Sequence, residues 1–182
     1  MENKQHNKGL KIVGLTGKAR SGKDTVAMRL ATHYGYHHYW FSRPMKEACR
    51  NIFGWGDEHL YGDLKDVVDT TYGVSPRYVL QTIGTDWGRD MINRDLWLIR
   101  AQQEMDANPL IVVSDVRFDN EASLIRSNGG SVIRLGRDDL QQVNPHQSEN
   151  GVSDGLITRT IENNGTLDEL NRLIDSLFGG AA

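Results

Sequence analysis

Residues Gly17–Thr25 read GKARSGKDT: a glycine, four residues, a second glycine and a lysine. The apolar run LKIVGLT (10–16) leads into them, and KDTVAMRLATHYG (23–35) follows with apolar residues at helical spacing, Val26, Met28, Leu30 and Ala31, up to a stop at Gly35. Strand, glycine-rich loop, helix is the context in which such a loop cradles phosphate. Gly17 and Gly22 let backbone N–H groups turn toward phosphate oxygens, with Ala19 and Ser21 contributing loop backbone between them. The helix adds its positive N-terminal end. Lys23 supplies a full charge for the β and γ phosphates.

The usual pattern ends G-K-[ST], and here the last position is Asp24. A carboxylate about 6 Å from a phosphate charge costs roughly 3 kcal/mol at an effective dielectric of about 20. A cation between them reverses the sign. Asp24 is therefore expected either to hold a magnesium-bound water or to orient an acceptor group, with Thr25 providing the hydroxyl contact to phosphate.

Composition bounds what surrounds the loop. The 182 residues suit one compact domain, with or without a mobile insertion, and the net charge of −3 argues against a general binder of polymeric nucleic acid. After Lys65 every fixed positive charge is an arginine, whose planar fork matches phosphate oxygens two at a time; lineage bias in residue usage would give the same pattern. The single cysteine, Cys49, excludes a cysteine scaffold or a cysteine-based metal site and fits a reducing compartment. With no long apolar run and a polar start, Met1–Lys8, the expectation is a soluble cytoplasmic protein, in the host cytoplasm if viral, with no membrane partner.

Strands alternate with helices along the chain. YHHYWF (36–41) reads as a second strand and SRPMKEACRNIF (42–53) as a helix with Pro44 at its start and Met45, Ala48, Cys49, Ile52 and Phe53 on one face. Residues 54–73 are rich in Gly and Asp and read as a mobile loop with one helical turn near Leu64–Val68. Ser75 caps a helix begun by Pro76, which breaks near Gly84 and resumes as a helix over 93–107. PLIVVSD (109–115) is the continuous apolar run of a strand buried on both faces. A short helix stopping at Gly129 and Gly130, the strand SVIRLG, a polar segment 137–151, a strand within GLITRTIEN and a helix capped by Thr166 and Glu169 complete the pattern. The last helix shows apolar positions at Leu167, Leu170, Leu173, Ile174 and Leu177. The expected architecture is α/β, a parallel five-stranded sheet covered by helices on both faces. Core segments 9–53, 109–136 and 152–178 are interrupted by a mostly helical insertion, 54–108, and a lid, 137–151.

Taken in order, SGKDT, LQTIGTDWGRD, DVRFDNEA, HQSE and NNGTL resemble the bacteriophage-type deoxynucleoside monophosphate kinases, from Gly14 to about Leu170. The first motif alone also resembles phosphomevalonate kinases; the ordered set is what is specific. The resemblance implies the P-loop NTPase fold of nucleoside monophosphate kinases, in which the insertion binds the acceptor. It also implies ATP as donor, Mg2+ as cofactor and transfer of the γ-phosphate to a deoxynucleoside monophosphate.

Candidate residues follow. Arg43, Lys46 and Arg50 share a face at a helix start, an anion site, and Arg43 then Lys46 are expected at the acceptor phosphate; a solvated basic face is the alternative. Arg77, Gln81 and Thr85 recur every four residues, with Arg89 one turn further, as a polar stripe that by resemblance faces the monophosphate. Trp87 could stack on the base or be core. Asp115, at the end of a buried strand, suits magnesium or its waters, and Arg117 should point to the same crevice and bind phosphate, although Glu121 could be its partner instead. Arg134 precedes the lid, and Arg137 starts it, suited to neutralising the transferring phosphoryl group. His146, Ser148 and Glu149 match the family's His-x-Ser-Glu without disclosing a role. Asn163 and Gly165 stand where related kinases contact adenine through backbone groups, and a plain turn is the alternative.

The expected catalytic set is thus Lys23, Asp24, Asp115, Arg117 and Arg137, with Asp24 and Asp115 at the metal through water. A small-metabolite kinase or a non-catalytic nucleotide-binding module are the alternatives. Trp55 and Tyr61 could cover a homodimer surface or act as a flap.

Overall fold

The computed structural model describes residues 10–138 and 151–179. Contacts divide the chain into two compact units, one of residues up to Trp40 and from Gln102 onward, the other Phe41–Ala101.

The first unit is built on a five-stranded parallel sheet of β1 (Ile12–Thr16), β2 (His37–Tyr39), β3 (Ile111–Val113), β4 (Ser131–Gly136) and β5 (Arg159–Glu162), in the spatial order β2-β3-β1-β4-β5. Gly14 of β1 is level with Val113 of β3 and Val132 of β4, so the carboxyl ends of the central strands lie along one edge. The strands are apolar because both faces are covered: Val13, Leu15, Ile111, Val112, Val113, Ile133 and Leu135 are buried.

On one face Val13 and Leu15 meet Val26 and Leu30 of α1 (Lys23–Tyr34) and Leu170, Ile174 and Phe178 of α7 (Leu167–Phe178). Each such side chain contributes about 1.5–3 kcal/mol on burial, so Leu30→Ala, at a fully buried position, costs about 2–5 kcal/mol once the cavity is included. The two helices are also tied by charge. The Arg29 guanidinium donates to both Asp175 oxygens at 2.8 and 2.6 Å, and the Tyr34 hydroxyl donates to Asp175 Oδ1 at 2.6 Å. On the other face α6 (Asp119–Ser127) lies close to β1. A Cβ on Gly14 would stand 2.5 Å from Ile125 Cδ1, so a larger residue there would have to displace the Ile125 side chain.

Helix ends follow their sequence signals. Gly35 ends α1 in the left-handed region, φ 72°, where a side chain would be strained. Thr166 and Glu169 form the expected capping box: the Thr166 N–H donates to Glu169 Oε2 at 2.7 Å, and the Glu169 N–H donates to Thr166 Oγ1 at 3.3 Å. Leu167, expected on the apolar face of α7, is 60% exposed, because the first turn overhangs the core; Phe178 fills the seam at the far end.

The second unit holds α2 (Arg43–Phe53), α3 (Asp57–Leu60), a 3-10 turn at Asp63–Asp66, α4 (Pro76–Thr82), a π-helix over Ile83–Ile92 and the first residues of α5 (Leu96–Ala107). Ser75 caps α4 as expected, accepting from the Tyr78 N–H at 3.3 Å. Residues 54–73 carry more structure than their composition suggested: α3 precedes the turn, which runs Asp63–Asp66 rather than Leu64–Val68. The organiser is Trp55, 2% exposed, which stacks on Phe53 at 4.4 Å and donates its Nε1–H to Asp69 Oδ2 at 2.7 Å. Cys49 and Leu60 close this small core. Ile52, assigned to the buried face of α2, is 65% exposed, because that core reaches only as far round the helix as Cys49 and Phe53.

No break occurs at Gly84. The chain passes from α4 directly into the wider π winding, seen where the Asn93 N–H donates to Gly88 O, five residues back, at 3.0 Å. The break comes at Asn93, which is extended at φ −162°.

Candidate active site

The chain leaving β1 at Thr16 must turn back at once into α1. Gly17, φ 137°, makes the turn where a Cβ would lie 2.3 Å from Leu135 O, and Gly22, φ 103°, caps the helix in the left-handed region. Between them Arg20 adopts φ 65°, and Ser21 is fully buried, its hydroxyl unpartnered among the described residues. The Lys23 ammonium lies back over the loop, donating to Gly17 O at 2.8 Å and Lys18 O at 2.7 Å. Those carbonyls hold the cation at the mouth of the loop, where an anion on the loop N–H groups would meet it.

The carboxyl ends of β1, β3, β4 and β5 surround one cavity of about 370 Å³. Thr16, Gly17, Lys18, Ala19 and Lys23 line it from the loop, Val116 and Arg117 from beyond β3, Leu135–Asp138 with Arg134 from β4, and Glu162 from the end of β5. Gly151 and Val152 close it. Five cationic side chains, Lys18, Lys23, Arg117, Arg134 and Arg137, face it against the carboxylates of Asp138 and Glu162. In a protein whose net charge is −3, so strong a local excess of positive charge marks an anion site.

The segment after β3 is fixed by two buried contacts. The Val116 N–H donates to Leu15 O at 3.1 Å, which holds Asp115 and Arg117 beside the strand that feeds the loop. Glu121, 3% exposed, accepts the Arg117 N–H at 2.8 Å and the Phe118 N–H at 3.2 Å on Oε2. Glu121 is thus a partner of Arg117 through its backbone, which leaves the guanidinium to the cavity. The sequence offered Glu121 as a partner of Arg117 in place of phosphate; the contact is to the backbone N–H, so it does not compete with a phosphate role for the side chain.

Asp24 and Thr25 lie exposed in the first turn of α1, outside the cavity lining, and Asp115 is half-buried. A carboxylate in a first turn is also favoured by the helix N-terminus, which lowers the cost of placing Asp24 beside phosphates. Asn163 contacts the loop through its side chain, Nδ2–H donating to Ser21 O at 2.9 Å, whereas its backbone had been singled out for adenine. Gly165 lies in the turn before α7, where a Cβ would stand 2.3 Å from Glu169 Oε2. Arg134 donates to Asp154 Oδ1 at 2.6 Å and to Val152 O at 2.5 Å, and Asp119 accepts the Ser153 N–H at 2.8 Å and its hydroxyl at 2.6 Å, anchoring the chain where it re-enters at 152–154. Asp138 and Asn164 pair reciprocally at 3.0 and 2.8 Å. His146, Ser148, Glu149 and most of the expected lid lie outside the described residues.

Of the acceptor candidates, Arg43, Lys46, Arg77, Gln81, Thr85, Trp87 and Arg89 belong to the second unit and Arg117 to the first. Arg43 Nε donates to Glu47 Oε1 at 2.8 Å, an exposed pair one turn along α2, and the Lys46 ammonium sits 3.7 Å above the centre of the Tyr61 ring. Arg77 is clamped by both oxygens of Asp66, a partner that spacing along the chain does not reveal. Trp87 is 46% exposed, so it is not a core residue. Among the described residues no three His, Cys, Asp or Glu side chains gather as a metal cage, and no helix is long and apolar enough to cross a membrane.

Comparison with known proteins defines the class. The sequence profile of the family described as deoxynucleotide monophosphate kinase matches residues 56–174. A protein of Acanthamoeba polyphaga mimivirus named as a deoxynucleotide monophosphate kinase is 34% identical over 155 residues, 76% of this chain and 80% of that one. The deoxynucleoside-5'-monophosphate kinase of Escherichia phage T5 is 34% identical over 113 residues, 55% of this chain and 43% of that one. Among solved structures, the shikimate kinase of Acinetobacter baumannii superposes with a TM-score of 0.53 at 14% identity, covering 95% of this chain and 96% of that one, a likeness of fold alone.

The fold is therefore that of the P-loop kinases, as expected from the loop and its flanking elements. The chain belongs to the deoxynucleotide monophosphate kinase family, and its activity is ATP-dependent phosphorylation of a deoxynucleoside monophosphate.

Proposed function

We propose that the cavity at the strand ends receives the ATP triphosphate and that the second unit carries the acceptor. The observation that supports this most is the convergence of the loop with five cationic side chains on one cavity. Phosphoryl transfer needs positioning and charge neutralisation far more than covalent chemistry. Lys23 would leave the carbonyls of Gly17 and Lys18 for the β and γ phosphates, and Arg117 and Arg137 would neutralise charge on the transferring group from opposite walls. The buried Ser21 hydroxyl has no hydrogen-bond partner among the described residues and suits a phosphate oxygen reached by a small shift of the loop.

The donor set fits magnesium: Asp24, Thr25 and Asp115 offer hard oxygen ligands, and Mg2+ in such enzymes keeps several waters and takes phosphate oxygens in place of an all-protein cage. Held through water by Asp24 and Asp115, the ion would supply positive charge to offset that of the phosphates. The chain's own part is to orient water or acceptor through the Asp24 and Asp115 carboxylates. Arg43 and Lys46 at the start of α2, and Gln81, Thr85, Trp87 and Arg89 along α4 and the π-helix, form the proposed acceptor surface, Trp87 for the base and Arg89 for phosphate. Arg77 serves that surface less directly, as its guanidinium braces α4 to Asp66.

A coupled ADP-release assay across the four deoxynucleoside monophosphates, their ribose counterparts and phosphomevalonate tests this reading. Turnover with deoxynucleotides supports it. Turnover with phosphomevalonate alone, or tight ATP binding with no acceptor-dependent ADP release, would overturn it.

A further inference from the structure

We propose that Trp97 is a positioning residue for the acceptor nucleotide, acting through the π-helix; this rests on the acceptor reading of Thr85, Trp87 and Arg89 given above. Trp97 is buried, and its indole N–H donates to Gly84 O at 2.8 Å. Its ring occupies the space beside Gly88: a Cβ there would stand 2.7 Å from Trp97 Cζ2 and 2.7 Å from Ile83 O. Gly84 is less confined, with a Cβ there 3.1 Å from Met45 Sδ. Gly88 is thus required by packing against Trp97, Gly84 packs against Met45, and neither is in the left-handed region.

The winding matters because it decides where the acceptor candidates point. In an α-helix of about 3.6 residues per turn, a four-residue step overshoots one turn, so Arg77, Gln81, Thr85 and Arg89 would drift steadily round the axis. The π-helix begins at Ile83, and its wider turn makes the step from Thr85 to Arg89 fall short of one revolution, which reverses the drift. Arg89 is brought back over the stripe that Gln81 and Thr85 define. In this winding the backbone N–H due at Gly84 O is that of Arg89, five residues on, and Trp97 binds the same oxygen. π winding is rare and usually limited to a single turn at functional sites, so a segment of this length calls for support from outside the helix. Trp97 supplies that support with one hydrogen bond to Gly84 O and a ring packed on Gly88.

The test is W97F, which keeps an aromatic ring and removes the N–H. The expected result is a KM for the deoxynucleoside monophosphate raised on the order of tenfold, with the KM for ATP within about twofold of wild type. A purely structural role would lower the melting temperature while leaving the two KM values in proportion, and that result would overturn the proposal. Should W97F fail to fold, the wild-type protein carries the test: the Trp97 indole N–H resonance should shift on adding deoxynucleoside monophosphate but not on adding ATP alone, and an unmoved resonance at saturation overturns the proposal. Wild-type turnover with an unchanged acceptor KM in W97F overturns this inference alone. Absence of wild-type turnover on every deoxynucleoside monophosphate overturns it together with the reading on which it rests.

Discussion

The side-chain amide of Asn163 donates to the carbonyl oxygen of Ser21 at 2.9 Å, joining the end of β5 to the phosphate-binding loop across 142 positions of sequence. Gly22 leaves room for this contact, since a Cβ there would stand 2.5 Å from Asn163 Nδ2. The loop's shape is therefore set by a residue at the far end of the chain as well as by its own glycines.

Asn163→Ala should weaken ATP binding by about fivefold, the effect of one net hydrogen bond of about 1 kcal/mol, with the acceptor KM little changed. Calorimetric titration with ATP checks this. Gly22→Ala should show the same signature more strongly, because it displaces the amide and also strains the left-handed φ of 103°.

Gly17→Ala is the most damaging single change expected in the loop. Its Cβ would fall 2.3 Å from the backbone oxygen of Leu135, which no rotamer change relieves, and its φ of 137° is foreign to alanine. ATP binding should be lost beyond detection while the sheet still folds, as judged by far-UV circular dichroism with ATP titration.

Replacing Asp24 by Asn keeps size and removes charge. Magnesium-dependent turnover should fall far more than ATP affinity, and a magnesium titration of kcat should shift to higher concentration. Normal turnover in this variant would contradict the role given to the carboxylate.

Acid stability should depend on the brace between α1 and α7. Hydrogen bonds from Arg29 and then Tyr34 hold the Asp175 carboxyl at about 2, below its ordinary value of about 4. A depressed folded-state value gives stability that is complete above the unfolded value and is lost as pH falls from about 4 to about 2. Asp175→Asn should remove this part of the acid dependence, measured as melting temperature against pH.

Much of this was legible in the sequence because each signal was local. The apolar runs 10–16 and 109–115, the caps at Ser75 and Thr166 and the stop at Gly35 depend on neighbours a few residues away, and each appears where its chemistry placed it. The loop and the residues after β3 and β4 also reach one cavity, since parallel strands deliver their carboxyl ends to one edge. What escaped was set by distant partners. Ile52 has helical spacing but no core beneath it, Arg77 belongs to Asp66, and Asn163 reaches Ser21 by its side chain. The smooth passage through Gly84 was hidden because a glycine in a helical pattern reads as a break, whereas here its carbonyl oxygen accepts the indole N–H of Trp97 and it is Gly88 that makes room for the ring.

The central claim is transfer of a phosphoryl group from ATP to a deoxynucleoside monophosphate, with the γ-phosphate held in the cavity that Lys23, Arg117 and Arg137 line. Its most direct test is a single-turnover reaction with γ-labelled ATP, magnesium and a deoxynucleoside monophosphate, comparing wild type with Lys23→Ala. The account predicts label in the deoxynucleoside diphosphate for wild type and none for the variant. Label recovered as inorganic phosphate alone, or equal transfer by the Lys23→Ala variant, would contradict it.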